Sequence, residues 1–266
     1  MSRPIEQRFP RPSVMGVVNV TPDSFSDGGV HLDSDVAAAA ARRMIDAGAA
    51  IVDVGGESTR PGSDGVSADE ELRRVIPVLE RLDREVPISI DTAKAEVARR
   101  AISLGAEMVN DVTALRADPA LAGVVAESGV YLCLMHMQGE PRTMQVDPRY
   151  DDVASEVASF LEERLAFAVA QGIAEDAICL DPGIGFGKTV EHNIELIRRL
   201  DVLLALGRPV LIGISRKSTL ARLGASDLES ASVGAAVAAY ERGATIIRAH
   251  DVAPHVDALN VAKAFA

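Results

Sequence analysis

The sequence predicts an α/β fold, a (β/α)8 TIM barrel that forms one domain over residues 1–266. β-Branched apolar runs recur about every thirty residues, each followed by a polar or glycine-rich loop and an alanine-rich amphipathic stretch, as βα units require. The chain has 266 residues, of which 48% are hydrophobic but only 3% aromatic, and it has no Trp. This composition suits helices packed around a parallel sheet better than a β-sandwich.

The number of strands and the ends of the helices support the barrel prediction. We expect eight strands, the number in a TIM barrel, at 14–20, 50–55, 87–91, 108–112, 130–136, 177–181, 209–214 and 245–250. Helical patterns cover 34–47, 67–84, 94–104, 119–127, 151–171, 190–206, 229–242 and 253–266. Several of them stop at a glycine, where a left-handed residue can close the last turn. A doubly wound open sheet is the alternative, but the turn after the first strand lacks the GxGxxG motif of that fold.

Charge and cysteine usage exclude several classes of partner and site. With 27 basic and 39 acidic residues the formal net charge is -12, which disfavours binding to nucleic acid or to an anionic membrane. The N-terminal residues lack the apolar stretch of a signal peptide and no segment has the length of a membrane span, so we expect a cytoplasmic protein. Cys133 and Cys179 lie in apolar runs without CxxC spacing, which predicts buried, reduced thiols.

Every predicted strand ends in a hydrogen-bonding side chain, and barrel active sites form at these carboxyl ends. The residues are Asn19, Asp53, Asp91, Asn110 with Asp111, His136, Asp181, Ser215 with Arg216 and Lys217, and Arg248 with His250 and Asp251. They could pair with one another and cap helices, because an unpaired buried polar group costs about 1 to 3 kcal/mol. A whole ring of donors and acceptors instead indicates a site for a flat polar heterocycle such as a pterin, whose N–H edge a carboxylate binds with two parallel bonds.

Three loop segments could bind anions. GGESTRPGS, residues 55–63, carries Arg60 as an anion clamp or a surface charge. SRKST, residues 215–219, begins a helix, and we expect its amides and the Arg216–Lys217 pair to point at the barrel mouth, either as a phosphate site or as a solvated helix start. DPGIGFGKT, residues 181–189, has Pro182 where a P-loop requires glycine, which argues against nucleotide hydrolysis. The histidines lack zinc spacing, whereas magnesium leaves little trace in a sequence.

Eight motifs, in order over nearly the whole chain, carry a resemblance to a known family. They are MGVVNVTPDSFSDGG (15–29), VDVGGESTRPGS (52–63), SIDT (89–92), VNDV (109–112), LMHMQGEPRTMQ (134–145), LDPGIGFGK (180–188), GISRKS (213–218) and RAHDV (248–252). Together they resemble dihydropteroate synthases. The resemblance implies a homodimeric, magnesium-using transferase of folate synthesis, a sulfonamide target that joins 6-hydroxymethyl-7,8-dihydropterin pyrophosphate to p-aminobenzoate. Thr113 and Ala114 depart from the pattern, because the family often has a Ser-Gly pair there.

The resemblance also implies a role for each matching residue. The dihydropterin would be hydrogen-bonded by Asp91, Asn110, Asp181 and Lys217, with the Arg248 guanidinium stacked on its face. p-Aminobenzoate would be framed by Thr59, Arg60, Pro61, Phe186 and Ser215, with Gly213 also at the substrates. Asn19 would lie with magnesium and the pyrophosphate, which Arg248 and His250 would also meet. Phe25 and Asp27 lie on the first loop, which closes over the reactants in this family, and Asp53 would support Asn19 or the loops. The catalytic set would be Lys217, Arg248, Asp181 and Asp27.

Other functions remain open at this stage. A pterin-dependent methyltransferase domain shares the barrel and the Asp and Asn anchors, but it should lack the first two loops together with SRK. A catalytically silent paralogue would bind the pterin without turnover. A structural or interaction protein would leave the polar ring at the strand ends unexplained.

Overall fold

Eight parallel strands form one sheet in the computed structural model, which describes residues 3–21, 30–59, 62–82 and 86–265. The strands are β1 Ser13–Asn19, β2 Ile51–Gly55, β3 Ile88–Asp91, β4 Met108–Asp111, β5 Tyr131–Met135, β6 Ile178–Asp181, β7 Leu211–Ile212 and β8 Ile246–Ala249. Their order in the sheet is β6-β5-β4-β3-β2-β1-β8-β7. A parallel bridge between Leu180 and Val210 brings β6 to β7. The predicted (β/α)8 barrel is therefore confirmed.

Helices connect the strands and cover the outside of the sheet. They are α1 Ile5–Arg8, α2 Val30–Asp46, α3 Ala68–Leu79, α4 Ala95–Ser103, α5 Leu121–Ser128, α6 Val153–Ala170, α7 Val190–Arg198, α8 Leu200–Leu204, α9 Ser218–Arg222, α10 Leu228–Glu241 and α11 Val252–Phe265. A short 3-10 helix, Glu175–Ala177, precedes β6. Across the described ranges, none of these helices combines the length and apolarity that crossing a membrane requires.

Three elements differ from the sequence-based expectation. The helix expected over 190–206 breaks at Arg199, which leaves helical geometry with φ -107° and ψ 39° and forms an ion pair with Asp152 at 2.8 Å. Strand β7 is only Leu211–Ile212, because its contact with β6 is reduced to the single bridge. Helix α1 was not expected. It lies before the first strand, where no periodic pattern is long enough to indicate it.

Helix α1 contributes to closing the barrel at the amino ends of the strands. Ile5 and Phe9 are fully buried and pack with a cluster of residues from the beginnings of the strands. That cluster includes Cys133 and Cys179, which lie buried and free, as expected from their apolar surroundings. A larger apolar cluster lies between the sheet and the helices. The end of the barrel that remains for polar chemistry is therefore the carboxyl end.

Strand register places the predicted polar residues at one level. Asn19 is opposite Gly55, Gly55 is opposite Asp91, and Asp91 is opposite Asn110. Asp53 precedes Gly55 by two residues, so its side chain lies on the same face, one step deeper in the barrel. Because all strands are parallel, their carboxyl ends share one mouth.

The segment after β4 holds two residues in the left-handed region, Ala114 at φ 52° and Leu115 at φ 63°. Ala114 stands where the related family often has glycine. The Asp111 carboxylate stabilises the turn, because it accepts hydrogen bonds from Thr113 N at 2.8 Å and from Leu115 N at 2.6 Å. These bonds compensate for conformations that cost an L-residue about 1 to 2 kcal/mol each.

Candidate active site

A guanidinium joins two carboxylates from different strands at the barrel mouth. Arg248, on β8, donates to Asp53 on β2 at 2.7 Å and to Asp91 on β3 at 3.0 Å. A Cβ at Gly55 would lie 3.3 Å from the Asp91 Cβ. The absence of a side chain at Gly55 therefore leaves space for the Asp91 side chain. Burial alone would lower the pKa of Arg248, but the charges of Asp53 and Asp91 raise it above its usual value. Arg248 is therefore a fixed cation.

Asp53 also fixes the orientation of the Asn110 amide. Nδ2 of Asn110 donates to Oδ2 of Asp53 at 2.9 Å, and both side chains are buried. Oδ1 of each residue has no hydrogen-bond partner within the described part of the chain. Two buried acceptors of this kind form a site for N–H donors, because an unpaired acceptor is costly away from water. The Asp53 side chain bonds to Arg248 and Asn110, and within the described part of the chain it has no hydrogen bond to Asn19, which we expected it to support.

The environment of the Asp91 carboxyl favours its protonated form. Burial raises its pKa to about 8, the neighbouring charge of Asp53 acts in the same direction, and Arg248 opposes both. Only 11% of the side chain is exposed. Asp91 can thus hold a proton or release it near pH 7, and can either donate to or accept from a heterocycle.

A second group of charges lies at the ends of β6 and β7. Asp181 accepts from the Gly183 amide at 2.7 Å, and burial raises the pKa of its carboxyl. Lys217 donates to the Ile184 carbonyl, and its Nζ lies 4.4 Å from the centroid of the Phe186 ring. Burial lowers the pKa of Lys217 to about 8, although the negative charge of Asp181 opposes the shift. The structure thus brings together three residues that the sequence analysis assigned to the substrates.

Lys188 is a buried cation that the sequence analysis did not assign. Its Nζ lies 2.8 Å from Nδ1 of His136 and donates to the Phe186 carbonyl at 3.0 Å. The residue is 2% exposed, and burial lowers its pKa to about 7. Burial also lowers the pKa of His136 to about 2, so this imidazole is neutral. The sequence signal was the Gly-Lys pair of GFGK, considered above only as part of a failed P-loop.

The segment after β7 places the side chains of SRKST in different surroundings. Ser215 is buried, and its hydroxyl lies 3.1 Å from Nδ1 of His250 and accepts from the His250 amide at 3.2 Å, so these two predicted residues do meet. Arg216 is exposed and forms an ion pair with Asp251, while its amide donates to Ser232. Of the two alternatives for this segment, Arg216 thus fits the solvated helix start, whereas Lys217 contacts the Ile184 carbonyl and the Phe186 ring. The positive φ of Arg216, 57°, turns the backbone between the two side chains.

The loop between β2 and α3 is held at its base by a buried ion-pair group. Lys94 contacts Glu57 at 2.5 Å and Glu71 at 2.6 Å, and Glu71 is fully buried. Thr59 lies half-buried further along this loop. Of the remaining predicted loop residues, Arg60, Pro61, Phe25 and Asp27 lie outside the described part of the chain.

Asn19 and Gly213 lie at the mouth, half-buried, on β1 and directly after β7. Asn19 shares a level with Asp91 through the register of β1, β2 and β3. An amide oxygen is a ligand that magnesium accepts, and this ion commonly uses one or two protein oxygens together with substrate phosphates. Among the described residues no group of three or more His, Cys, Asp or Glu could hold a metal. The Asn19 amide oxygen is thus the donor available at this position for the magnesium ion that the sequence resemblance implies.

Known proteins share both this sequence and this fold. The family model described as "Pterin binding enzyme" matches residues 15–250. Dihydropteroate synthase of Escherichia coli K12 is 49% identical over 258 residues, which cover 95% of this chain and 91% of that protein. The Neisseria meningitidis serogroup B enzyme is 48% identical over 264 residues, covering 96% and 93%.

Solved structures agree with the sequence comparison. Dihydropteroate synthase of Xanthomonas albilineans, solved with 4-aminobenzoic acid, superposes with a TM-score of 0.90 at 48% identity and covers 97% of this chain and 94% of that one. A second structure of the enzyme from that organism, in complex with 7,8-dihydropteroate, has a TM-score of 0.86 at 46% identity, with 97% and 94% covered. The chain belongs to the pterin-binding enzyme family and, within it, to the dihydropteroate synthases.

Proposed function

We propose that the chain condenses 6-hydroxymethyl-7,8-dihydropterin pyrophosphate with p-aminobenzoate to give 7,8-dihydropteroate and pyrophosphate, a step of folate synthesis. The observation that carries the proposal is the convergence of Asp91, Asn110, Asp181 and Lys217 at one barrel mouth. The similarity to the dihydropteroate synthases named above extends over nearly the whole length of those proteins.

The mouth divides into two halves of different chemistry. Carboxylate and amide oxygens of Asp91, Asn110 and Asp181 face the N–H groups of the aminopyrimidinone edge, and two parallel bonds to one carboxylate give strong, planar recognition. Arg248 is held by two carboxylates, so its flat guanidinium presents a preformed stacking surface to the ring. Lys217 donates toward the acceptor atoms of the pterin.

The reaction then follows from where charge develops. The C–O bond to the diphosphate breaks with its electron pair on the leaving oxygen, and Lys217, Arg248 and His250 stabilise that negative charge. The electron-rich dihydropterin stabilises the cationic methylene carbon, so departure precedes attack. The aniline nitrogen of p-aminobenzoate attacks as the neutral amine and then releases its proton. No base is needed before the attack.

We also propose a magnesium ion, with Asn19 as its protein ligand. When bound, the ion neutralises diphosphate charge. Thr59, Arg60, Pro61, Phe186, Ser215 and Gly213 frame p-aminobenzoate, and Phe25 and Asp27 close over the reactants from the first loop, with Asp27 in the catalytic set. A homodimer and a cytoplasmic location complete the proposal. These features rest on the family resemblance.

Pyrophosphate release that depends on added p-aminobenzoate tests the proposal. Lys217→Ala and Asp181→Ala should each abolish product formation while the circular dichroism spectrum stays unchanged. Arg222→Ala removes an exposed cation from the neighbouring helix α9 and should leave the rate unchanged, which makes it a matched control. Release without p-aminobenzoate would identify a hydrolase. Pterin binding without release would identify a silent paralogue, and methyl transfer to a corrinoid would identify the methyltransferase.

A further inference from the structure

The Lys188–His136 pair is a buried polar contact that the proposed reaction does not use. Lys188 is 2% exposed, and its amine has two hydrogen-bond partners in the described structure, Nδ1 of His136 at 2.8 Å and the Phe186 carbonyl at 3.0 Å. It also lies 5.9 Å from the centroid of the Tyr150 ring. Burying an amine costs several kcal/mol unless it is well paired. A buried amine beside the mouth is therefore expected to have a structural or functional role.

Lys188 binds the carbonyl of Phe186, a residue that the proposed function places at p-aminobenzoate. The Phe186 ring lies 4.4 Å from the Lys217 amine, and the Ile184 carbonyl of the same loop accepts a hydrogen bond from Lys217. Lys188 reaches back two residues from its own position to hold the Phe186 backbone. A shift of the Phe186 carbonyl would move the Phe186 ring, whereas the Lys217 amine keeps its own bond to the Ile184 carbonyl.

His136 is itself held in a single arrangement. Its amide donates to the Asp181 carbonyl at 2.9 Å, and its ring packs edge-on against Phe160 with a centroid distance of 4.8 Å. The Gly183 backbone approaches so closely that a Cβ there would lie 1.9 Å from the His136 carbonyl oxygen. The neutral imidazole accepts from Lys188 through Nδ1. The pair therefore connects the rigid end of β5 to the loop after β6.

We propose that Lys188, held by His136, is a positioning residue that fixes the Phe186 carbonyl and thereby places the Phe186 ring for p-aminobenzoate. This inference rests on the proposed function, because its kinetic readout is the KM for p-aminobenzoate. It assigns Lys188 no contact with either substrate. The effect of the residue passes through the backbone of residues 183–187.

Replacing Lys188 with methionine tests the proposal, because Met keeps the length and apolar volume but removes the amine. We expect the KM for p-aminobenzoate to rise about tenfold, the loss that follows from one charge-assisted hydrogen bond. The KM for the pterin pyrophosphate and kcat should change about twofold or less, since the pterin ligands keep their own partners. Hydrogen–deuterium exchange at the amides of residues 183–187 should become faster.

Two further variants separate positioning from general loosening of the loop. His136→Asn keeps an acceptor near the place of Nδ1 and should retain a KM close to that of the wild type. Tyr150→Phe removes another hydrogen bond to the same loop, which the Tyr150 hydroxyl donates to the Gly187 carbonyl at 2.9 Å. This variant should leave the KM for p-aminobenzoate unchanged. An unchanged KM in Lys188→Met, or an equal effect of Tyr150→Phe, would overturn the proposal. An inactive wild type would refute the proposed function instead. The exchange rates would still test whether Lys188 holds the backbone of residues 183–187.

Discussion

Substitution of Asp53 by Asn isolates the charge of the buried carboxylate from its geometry. In the structure one oxygen of Asp53 accepts from both Asn110 and Arg248, at 2.9 and 2.7 Å. The amide oxygen of Asn can take that position and keep both bonds. The substitution then replaces charge-assisted bonds by neutral ones and puts a buried N–H group where Oδ1 has no partner.

These changes set the expected magnitude. Replacing the charged acceptor for Arg248 by a neutral one costs about 1 to 1.5 kcal/mol, and an unsatisfied buried donor costs about 1 to 3 kcal/mol. Relief from burying the Asp53 charge offsets part of this, so we expect a net loss of about 2 kcal/mol. The loss appears in the unfolding free energy. If pterin binding requires the same arrangement of Arg248 and Asn110, a loss of the same size in transition-state binding lowers kcat/KM for the pterin pyrophosphate roughly thirtyfold.

The assay is the initial rate of pyrophosphate release with the pterin substrate varied at saturating p-aminobenzoate. Asp53→Leu supplies the comparison, because it leaves Asn110 Nδ2 and one nitrogen of Arg248 unpaired and should cost about 3 to 5 kcal/mol. Urea unfolding of each variant separates stability from substrate binding. If Asp53→Asn unfolds more easily but keeps its kcat/KM for the pterin, Asp53 supports only the fold and the reasoning fails.

Two further predictions concern ionisable groups. Asp91 should contribute a fall in the unfolding free energy of the ligand-free protein as pH rises from about 4 to about 8, because its raised pKa lets the folded state hold a proton that the unfolded state has released. His136, whose pKa is lowered to about 2, contributes a slope of the opposite sign below about pH 6.5. In urea titrations the unfolding free energy of the wild type relative to Asp91→Asn should therefore fall over this range, and a constant difference would contradict the shift. Lys94→Met should lower the unfolding free energy by about 3 to 5 kcal/mol, because it leaves the buried Glu71 without its cation. Glu57→Gln, at a partly exposed partner, should cost about 1 kcal/mol or less, and equal losses would refute the argument.

The barrel could be predicted because its signals are local and repeated. Eight apolar runs followed by amphipathic stretches define βα units, and glycines such as Gly129, with φ 66°, mark helix ends. Strand ends could then be placed at one mouth by topology alone. The break at Arg199 could not be predicted, because no glycine or proline marks it in the sequence and the ion pair of Arg199 with Asp152 is a tertiary contact.

The site could be predicted as a set of residues but not as a network of contacts. Asp91, Asn110, Asp181 and Lys217 followed from their positions at strand ends and from the family resemblance. The role of Asp53 did not, because a carboxylate that binds two donors from β4 and β8 leaves no spacing signal in the sequence. The different surroundings of Arg216 and Lys217 could not be predicted either, because they follow from tertiary contacts with Asp251 and with the Ile184 carbonyl.

The paired carboxylates explain how an acidic protein can bind a diphosphate ester. The net charge of -12 repels an anion at long range, and a mouth lined by Asp53, Asp91 and Asp181 would repel it further if all three were unpaired and charged. Instead, Asp53 and Asp91 share the Arg248 guanidinium, and burial favours the protonated form of Asp91. Asp181 lies within the field of Lys217, which lowers its pKa against the effect of burial. The carboxylates thus serve the N–H edge of the heterocycle with little net negative charge, and the cations at the ends of β7 and β8 remain effective toward the leaving group.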